Sequence, residues 1–248
     1  MLSLRTEIDL ESAAAALLFC AIFLLVGALR PLQWFFRDER TAVSFGAGVA
    51  TAYVFVHVMP ELNAARHAFA ESSSLPVHYE GMSIFYVSLV GFLLFYGQDS
   101  LQKRLHQDPA RQRAGNAFVI SITGFAVYVG LMAYLLVHNL EDTPRSVGLF
   151  AVAIAVHFLG VDRALREEHG TVYERVGRFV LAAMSLLGWG VGMLMALPRS
   201  IIALMIAFIS GAVIMNSSIT ELRAESKGRF LPFMFGGLGY GLILLPFG

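Results

Sequence analysis

The sequence predicts an all-α, polytopic membrane protein with eight transmembrane helices and both termini on the non-cytoplasmic side. The 248-residue chain is 57% hydrophobic and only 15% charged, whereas about 25% of the residues in a soluble domain are charged. Eight apolar segments of roughly membrane-spanning length follow one another and are separated by polar stretches. Basic residues also alternate regularly between the loops, which indicates the orientation of the spans.

The eight spans are predicted within a single transmembrane domain over residues 1–248. They cover residues 12–32, 41–60, 81–98, 117–138, 146–162, 176–197, 200–218 and 230–247. The fifth segment is short and ends at Asp162, but its neighbours are long enough that a seven-helix arrangement would leave an apolar segment in water. The first ten residues set Arg5 against Glu7 and Asp9, a poor positive region for a signal peptide, so the first span is expected to be retained.

Charge distribution gives the predicted orientation. The loops after the first, third, fifth and seventh spans, together with the adjoining ends of the spans, hold fourteen of the 18 Lys and Arg residues. Because short loops rich in Lys and Arg stay in the cytoplasm, the odd-numbered loops are predicted to be cytoplasmic, as in a multi-pass protein of the plasma (inner) membrane. The net charge is zero and no basic stripe is present, so the lipid bilayer, and not a nucleic acid, is the expected partner.

The second span carries an unusual group of polar residues near its end. His57 and Glu61 are four residues apart and project from the same helix face, and Pro60 weakens the hydrogen-bond ladder between them. Small residues in the earlier turns allow neighbouring backbones to approach closely. They are Ser44, Gly46, Gly48, Ala50 and Thr51. This pattern predicts a helix packed inside a bundle.

Further polar residues lie within or beside other spans. His157 lies near the middle of the fifth span with Asp162 about a turn and a half further along, and Asn216 and Glu221 lie in the inner half of the seventh. Charged groups inside a membrane are costly unless they face water or a partner, and imidazole with carboxylate suits a borderline cation such as zinc. These observations predict a row of metal ligands on a transport pathway. Its members are His157 as the strongest candidate, His57, Glu61, Asp162, Asn216 and Glu221.

A structural interpretation of the same residues stays open. A histidine bonded to a neighbouring helix accounts for His157, and interfacial ion pairs account for the carboxylates. The basic partners available nearby are Arg163, Arg166 and Arg223.

Several segments together resemble the ZIP (Zrt/Irt-like) family of divalent metal ion transporters. SFGAGVATAYVFVHVMPEL resembles the family's second helix, which ends in a His-x-x-Pro-Glu element; here those positions are His57, Pro60 and Glu61. IFYVSLVGFLLFYGQDSLQKRL resembles the third helix, and AFISGAVIMNSSITELRAES with PFMFGGLGYGLILL resembles the seventh and eighth. The resemblance implies a ZIP-like bundle, with a divalent metal such as zinc as the transported substrate and no resident cofactor.

The chain departs from the family where the central metal site is expected. In the fifth helix His157 matches the family's histidine, but Phe158 replaces the glutamate that follows it. In the fourth helix the ligand positions fall on residues that cannot bind metal. They are Phe125, Ala126 and Val129. His138, in the stretch HNLED, resembles the missing motif but lies too late in the chain.

Three functional interpretations remain. The favoured one is a divergent ZIP-like transporter that moves a divalent metal cation, zinc-like, or a related solute by rocking of one helix group against another. The alternatives are a non-transporting scaffold or partner subunit, and an intramembrane hydrolase whose zinc is held by His57, His138 and His157. The hydrolase has no evident general base, so no catalytic residue and no enzyme activity are expected. Glycines in LLGWGVGML predict close packing, within the bundle or in a homodimer. They are Gly188, Gly190 and Gly192.

Overall fold

The computed structural model of the chain is helical through nearly all of the part that it describes. That part comprises residues 2–25, 27, 39–72, 77–107, 116–138, 144–225 and 229–245, and it contains no strand. The predicted all-α class is therefore confirmed for these residues.

The helices extend beyond most of the predicted spans. In chain order they are α1 (Leu2–Leu25), α2 (Glu39–Tyr53), α3 (Met59–Ser72), α4 (Val77–Gln107), α5 (Asn116–Leu135), α6 (Pro144–Val172), α7 (Arg178–Leu194), α8 (Arg199–Glu225) and α9 (Phe230–Leu244). Two π-helical turns, Val54–Val58 and Tyr173–Gly177, join α2 to α3 and α6 to α7. Apolar content marks only the part of a helix that is suited to lipid. Backbone hydrogen bonding continues into the polar flanks, and most helices are therefore longer than the hydrophobic segments.

Five helical stretches within the described residues are long and apolar enough to cross a membrane. They are Ser44–Glu71, Met82–Leu105, Asn116–Leu135, His157–Leu194 and Arg199–Asn216. Two shorter apolar helices are Leu10–Leu25 and Phe230–Leu244. This set of helices identifies a multi-pass integral membrane protein. The number of eight spans, the position of the termini and the kind of membrane stay predictions.

The chain packs into two compact units, each assembled from two separated stretches. Unit 1 comprises Met1–Ala28 and Leu94–Leu197, and unit 2 comprises Leu29–Leu93 and Pro198–Gly248. Helix α4 contributes to both units. Because each unit interleaves distant parts of the chain, neither one is a separate domain in the sequence, and the single transmembrane domain stays a prediction.

Within unit 1 the chain reverses direction inside a continuous run of helical residues. Gly170 has φ 49° and ψ −123°, a left-handed conformation that glycine adopts at little cost. Asp162 and Tyr173 would lie about 16 Å apart along a straight helix, yet their side chains are hydrogen-bonded at 2.6 Å. The 38-residue stretch His157–Leu194 is therefore a hairpin of two helices. The polar stretch 163–175, predicted to be a loop, is helical on both sides of Gly170.

Helices α5 and α7 pack closely along their length in unit 1. The backbone at Gly188 approaches the Gly130 carbonyl so closely that a Cβ there would collide with it, and a Cβ at Gly192 would lie 3.1 Å from the Val137 side chain. Because the paired residue numbers rise together, α5 and α7 run in the same direction. The close packing predicted for Gly188 and Gly192 is confirmed within unit 1, whereas a Cβ at Gly190 would meet open space.

In unit 2, α2 packs against α9 through small residues. A Cβ at Gly48 would collide with the Phe233 carbonyl, and the backbone N–H of Arg229 donates a hydrogen bond of 2.9 Å to Ser44 Oγ at the start of the contact. This bond satisfies a backbone group that precedes the first turn of α9. Ser44 and Gly48 thus serve helix packing, as the sequence predicts, whereas a Cβ at Gly46 would meet open space.

Candidate functional site

His57 and Glu61 lie together at an irregular point of a membrane-length helix in unit 2. Their closest atoms, Nε2 and Oε2, are 3.8 Å apart, and the side chains are 23% and 19% exposed. The His57 ring also stacks on Tyr53, with centroids 5.2 Å apart and an interplanar angle of 27°. The pair is therefore held in a defined arrangement while remaining within reach of solvent.

A π-helical turn places this pair. Residues Val54–Val58 form the turn, and the N–H of Met59 donates to the carbonyl of Val54, five residues earlier. Pro60 follows at once and has no N–H to donate, so the ladder is already incomplete at this position. Single π-helical turns inside α-helices occur frequently at functional sites. The wider turn is a local rearrangement that hydropathy does not reveal.

His157 in unit 1 has a different partner. Its Nε2 lies 2.8 Å from the hydroxyl of Tyr128, a residue of α5 that is fully buried. With Nε2 engaged by the phenol, only Nδ1 could bind a metal ion. A hydrogen bond between neighbouring helices is what the structural interpretation of His157 predicts.

Aromatic side chains surround the His157–Tyr128 pair. Phe95 and Phe125 contact each other edge to face at a centroid distance of 5.8 Å, and both contact the Tyr128 ring. Phe158 packs on the other side and is itself contacted by Phe19 of α1. The pair thus lies in an aromatic cluster that offers a single hydroxyl and a single imidazole.

The positions at which the ZIP pattern places metal ligands are part of this packed region. Phe158 and Val129 have no exposed surface, Ala126 is buried, and Phe125 is half-buried. Side chains of this kind fill space by van der Waals contact and supply no electron pair to a cation. The departure seen in the sequence therefore coincides with a continuous apolar core in unit 1.

Asp162 is neutralised within a network of its own. Its carboxylate, 1% exposed, accepts bonds of 3.1 and 3.0 Å from Arg166 Nη2 and one of 2.6 Å from the Tyr173 hydroxyl. Arg166 also pairs with Glu174 beyond the turn. The ion-pair interpretation of Asp162 is thus confirmed for Arg166, whereas Arg163 pairs with Glu167 at 2.7 Å on an exposed surface.

The remaining candidates lie on other parts of the chain. Asn216 is half-buried on α8, and Glu221 follows on the same helix, with its side chain outside the described part of the structure. His138 directs Nε2 at the Gly192 carbonyl, 2.7 Å away, near the end of α7. His157 and Asp162 belong to unit 1, whereas the other four predicted ligands belong to unit 2.

Two tyrosines that complete these sites were not predicted from the sequence. Tyr128 and Tyr173 supply the hydroxyls that bond His157 and Asp162. A tyrosine within an apolar stretch is a signal in itself, because a buried phenol usually finds a hydrogen-bond partner. The sequence alone does not tell which partner it is.

The arrangement offers two-residue polar pairs. No group of three or more His, Cys, Asp or Glu side chains able to hold a metal ion occurs in the described residues. His57 with Glu61 combines an imidazole nitrogen with a carboxylate oxygen, which is the donor set nearest to a zinc site. No family model matches the chain, and a search of curated proteins found no match.

Proposed function

We propose that the chain is a divergent ZIP-like membrane transporter that moves a divalent metal cation of the zinc type, or a related solute, by alternating access. The observation that carries this proposal is the half-buried His57–Glu61 pair at a π-helical turn of an otherwise apolar helix. An ionisable pair inside a membrane-spanning helix is costly unless it meets water or a charged ligand. A cation passing along this helix is such a ligand.

The chemistry of the pair suits a transient site. A divalent cation binds neutral imidazole and ionised carboxylate, so binding is coupled to the loss of any proton that the two side chains carry. Two protein ligands leave other coordination positions to water, unlike a structural zinc site, which is closed by four protein ligands. A site of this kind holds the ion weakly enough to release it.

The organisation of the helices also supports transport. Alternating access is achieved largely by rocking of one group of helices against another. Unit 1 and unit 2 each collect helices from distant parts of the chain into one compact body. A mechanism of this kind requires two such compact bodies.

A second candidate function is a non-transporting scaffold or partner subunit. It is favoured by the aromatic packing around His157, where Phe125 and Phe158 stand at positions that bind metal in the ZIP pattern. A chain that has lost transport is free to fill its central site with apolar side chains. The two candidates differ in one measurable property, ion flux.

The deciding experiment measures ion flux into liposomes that hold the purified protein and a metal-sensitive dye. Zn, Cd, Mn, Fe and Co are offered in turn, with protein-free liposomes as the blank. We expect saturable flux of at least one ion, abolished by His57→Ala with Glu61→Gln and retained by Glu71→Gln, a change at an exposed carboxylate on α3. No flux for any of the five ions would overturn the proposal and favour the scaffold.

A further inference from the structure

A row of buried polar side chains in unit 1 has no part in the sites described so far. Gln102 of α4 is 4% exposed, Ser121 of α5 is fully buried, and Gln98 of α4 is half-buried. Gln98 and Gln102 are four residues apart and therefore share one helix face. Two primary amides and a hydroxyl thus gather within helices otherwise made of apolar residues.

The hydrogen bonds of Gln98 and Ser121 leave polar capacity unused. Gln98 Nε2 reaches the backbone carbonyl of Ser121 at 3.4 Å, a long bond to a group that already serves the helix ladder. Ser121 Oγ has no exposed surface and no partner among the described residues. A buried hydroxyl without a hydrogen-bond partner is destabilising, so this oxygen is one that a ligand could satisfy.

The backbone also makes room for the cluster. A Cβ at position 124 would collide with the Gln98 amide, so glycine at this position allows the side chain to lie against α5. The nearest charges on the same helix, Asp99 and Lys103, are paired with each other. The cluster itself is therefore neutral.

The cluster lies one aromatic layer away from the His157–Tyr128 pair. Ser121 and Tyr128 are seven residues apart, about 10 Å along α5, and the Phe95–Phe125 contact falls between their levels. In the predicted topology this is the cytoplasmic half of the span. Polar groups thus occur at levels of α5 on both sides of this aromatic contact.

We propose that Gln98, Gln102 and Ser121 form a second, neutral site that takes a partly hydrated divalent cation on the cytoplasmic side of the Phe95–Phe125 layer. This inference rests on the proposed function, because the ligand is the transported cation. Amide and hydroxyl oxygens are hard, uncharged donors that bind such an ion weakly and mostly through its waters. A neutral site of this kind binds the ion weakly and therefore favours release and not capture.

The flux arm of the test compares two buried hydroxyls. Ser121→Ala removes the oxygen that lacks a partner, whereas the matched control Ser185→Ala removes an equally buried oxygen that bonds its own helix through the Ala182 carbonyl. We expect Ser121→Ala to lower the maximal Zn flux about tenfold, and Ser185→Ala to leave it unchanged, at equal amounts of folded protein. Equal flux for wild type and Ser121→Ala would overturn the second site.

The second arm tests access of water without any need for flux. Ser121→Cys is made in a Cys20→Ser background, which removes the single native cysteine, and is exposed to a cationic, membrane-impermeant methanethiosulfonate. We expect it to react at least tenfold faster than Val119→Cys, whose side chain is 57% exposed on the lipid-suited surface of the same helix. Reaction of Ser121→Cys only after denaturation would overturn the proposal.

The two arms also separate the two proposals. Absence of wild-type flux for all five ions contradicts the proposed function, whatever the thiol does. The site at Ser121 is then judged by the thiol reaction, which supports a hydrated polar site if it occurs in the folded protein and removes that site if it does not.

Discussion

His57 and His157 both interrupt apolar helices, yet unit 2 and unit 1 treat them differently. His57 meets a carboxylate at a π-helical turn and keeps part of its surface exposed. His157 meets a phenol inside an aromatic cluster. The first arrangement leaves an ionisable pair at a point of access, and the second uses the ring to tie two helices together.

The comparison extends to the carboxylates. Glu61 of unit 2 has an imidazole beside it at 3.8 Å, whereas Asp162 of unit 1 is bound by a guanidinium and a phenol and is almost completely buried. The buried charge of Asp162 is thus satisfied by side chains of unit 1. We infer that the partners of His157 and Asp162 in unit 1 serve chiefly stability, and that unit 2 keeps the His57–Glu61 pair for a ligand.

The largest expected effect is at Asp162. Asp162→Ala leaves Arg166 and Tyr173 without their shared acceptor, and breaking a buried pair in this way costs about 3–5 kcal/mol. We expect that loss in the free energy of unfolding, measured by denaturant titration in detergent. Arg163→Ala, at the exposed pair with Glu167, is the control and should change stability by less than about 1 kcal/mol. If Asp162→Ala instead loses flux at normal stability, Asp162 is a ligand, and the difference between the carboxylates of the two units is contradicted.

The tight packing of unit 1 gives the next largest effect. Gly188→Ala pushes a methyl group into the Gly130 carbonyl, and overpacking of this kind costs about 1–3 kcal/mol. Gly190→Ala meets open space, so we expect it to be neutral or to stabilise the helix by up to about 1 kcal/mol. Thermal unfolding of the two variants in detergent makes the comparison. Equal stability of both would show that α5 and α7 are less closely packed than the structure indicates.

A third test sharpens the assignment of Glu61. Glu61→Gln keeps the shape of the side chain but removes the charge that a cation would meet. We expect about a tenfold loss of flux at limiting Zn concentration, equivalent to about 1.4 kcal/mol, with little change in the unfolding free energy because the side chain is partly exposed. Unchanged flux together with reduced stability would assign Glu61 to helix packing, like its counterpart in unit 1.

The smallest effect is expected at Tyr128. Tyr128→Phe removes the hydroxyl bonded to His157 and keeps the ring, so we expect a loss of about 1 kcal/mol in stability and no change in flux per folded molecule. His157→Ala should behave similarly, with a larger loss of packing. If His157→Ala abolishes flux while folding stays intact, His157 is a ligand and the difference between the two histidines disappears.

Hydropathy and periodicity predict the helical class and the approximate positions of the long helices, because both depend on local composition. They fail at 163–175, where RALREEHGTVYER looks like a loop by its charge. Most residues of this stretch are good helix formers, and the reversal is concentrated at Gly170. Polarity was a poor guide there because a helix does not need to end where the membrane does.

The candidate site was predictable only where both partners are near in sequence. Glu61 beside His57 and Arg166 beside Asp162 follow from a spacing of four residues. The pairing of Tyr128 with His157 spans 29 residues and two helices, and that of Tyr173 with Asp162 requires the chain to turn back. Such partners depend on tertiary packing, on which single-sequence patterns carry no information.

The turn at Gly170 gives α6 and α7 a mechanical property. The bend is short, and Arg166 is linked to Glu174 across it. We infer that an axial displacement of one helix is passed to the other through this bend. A long flexible linker inserted at Gly170 would uncouple the two helices and leave each helix formed.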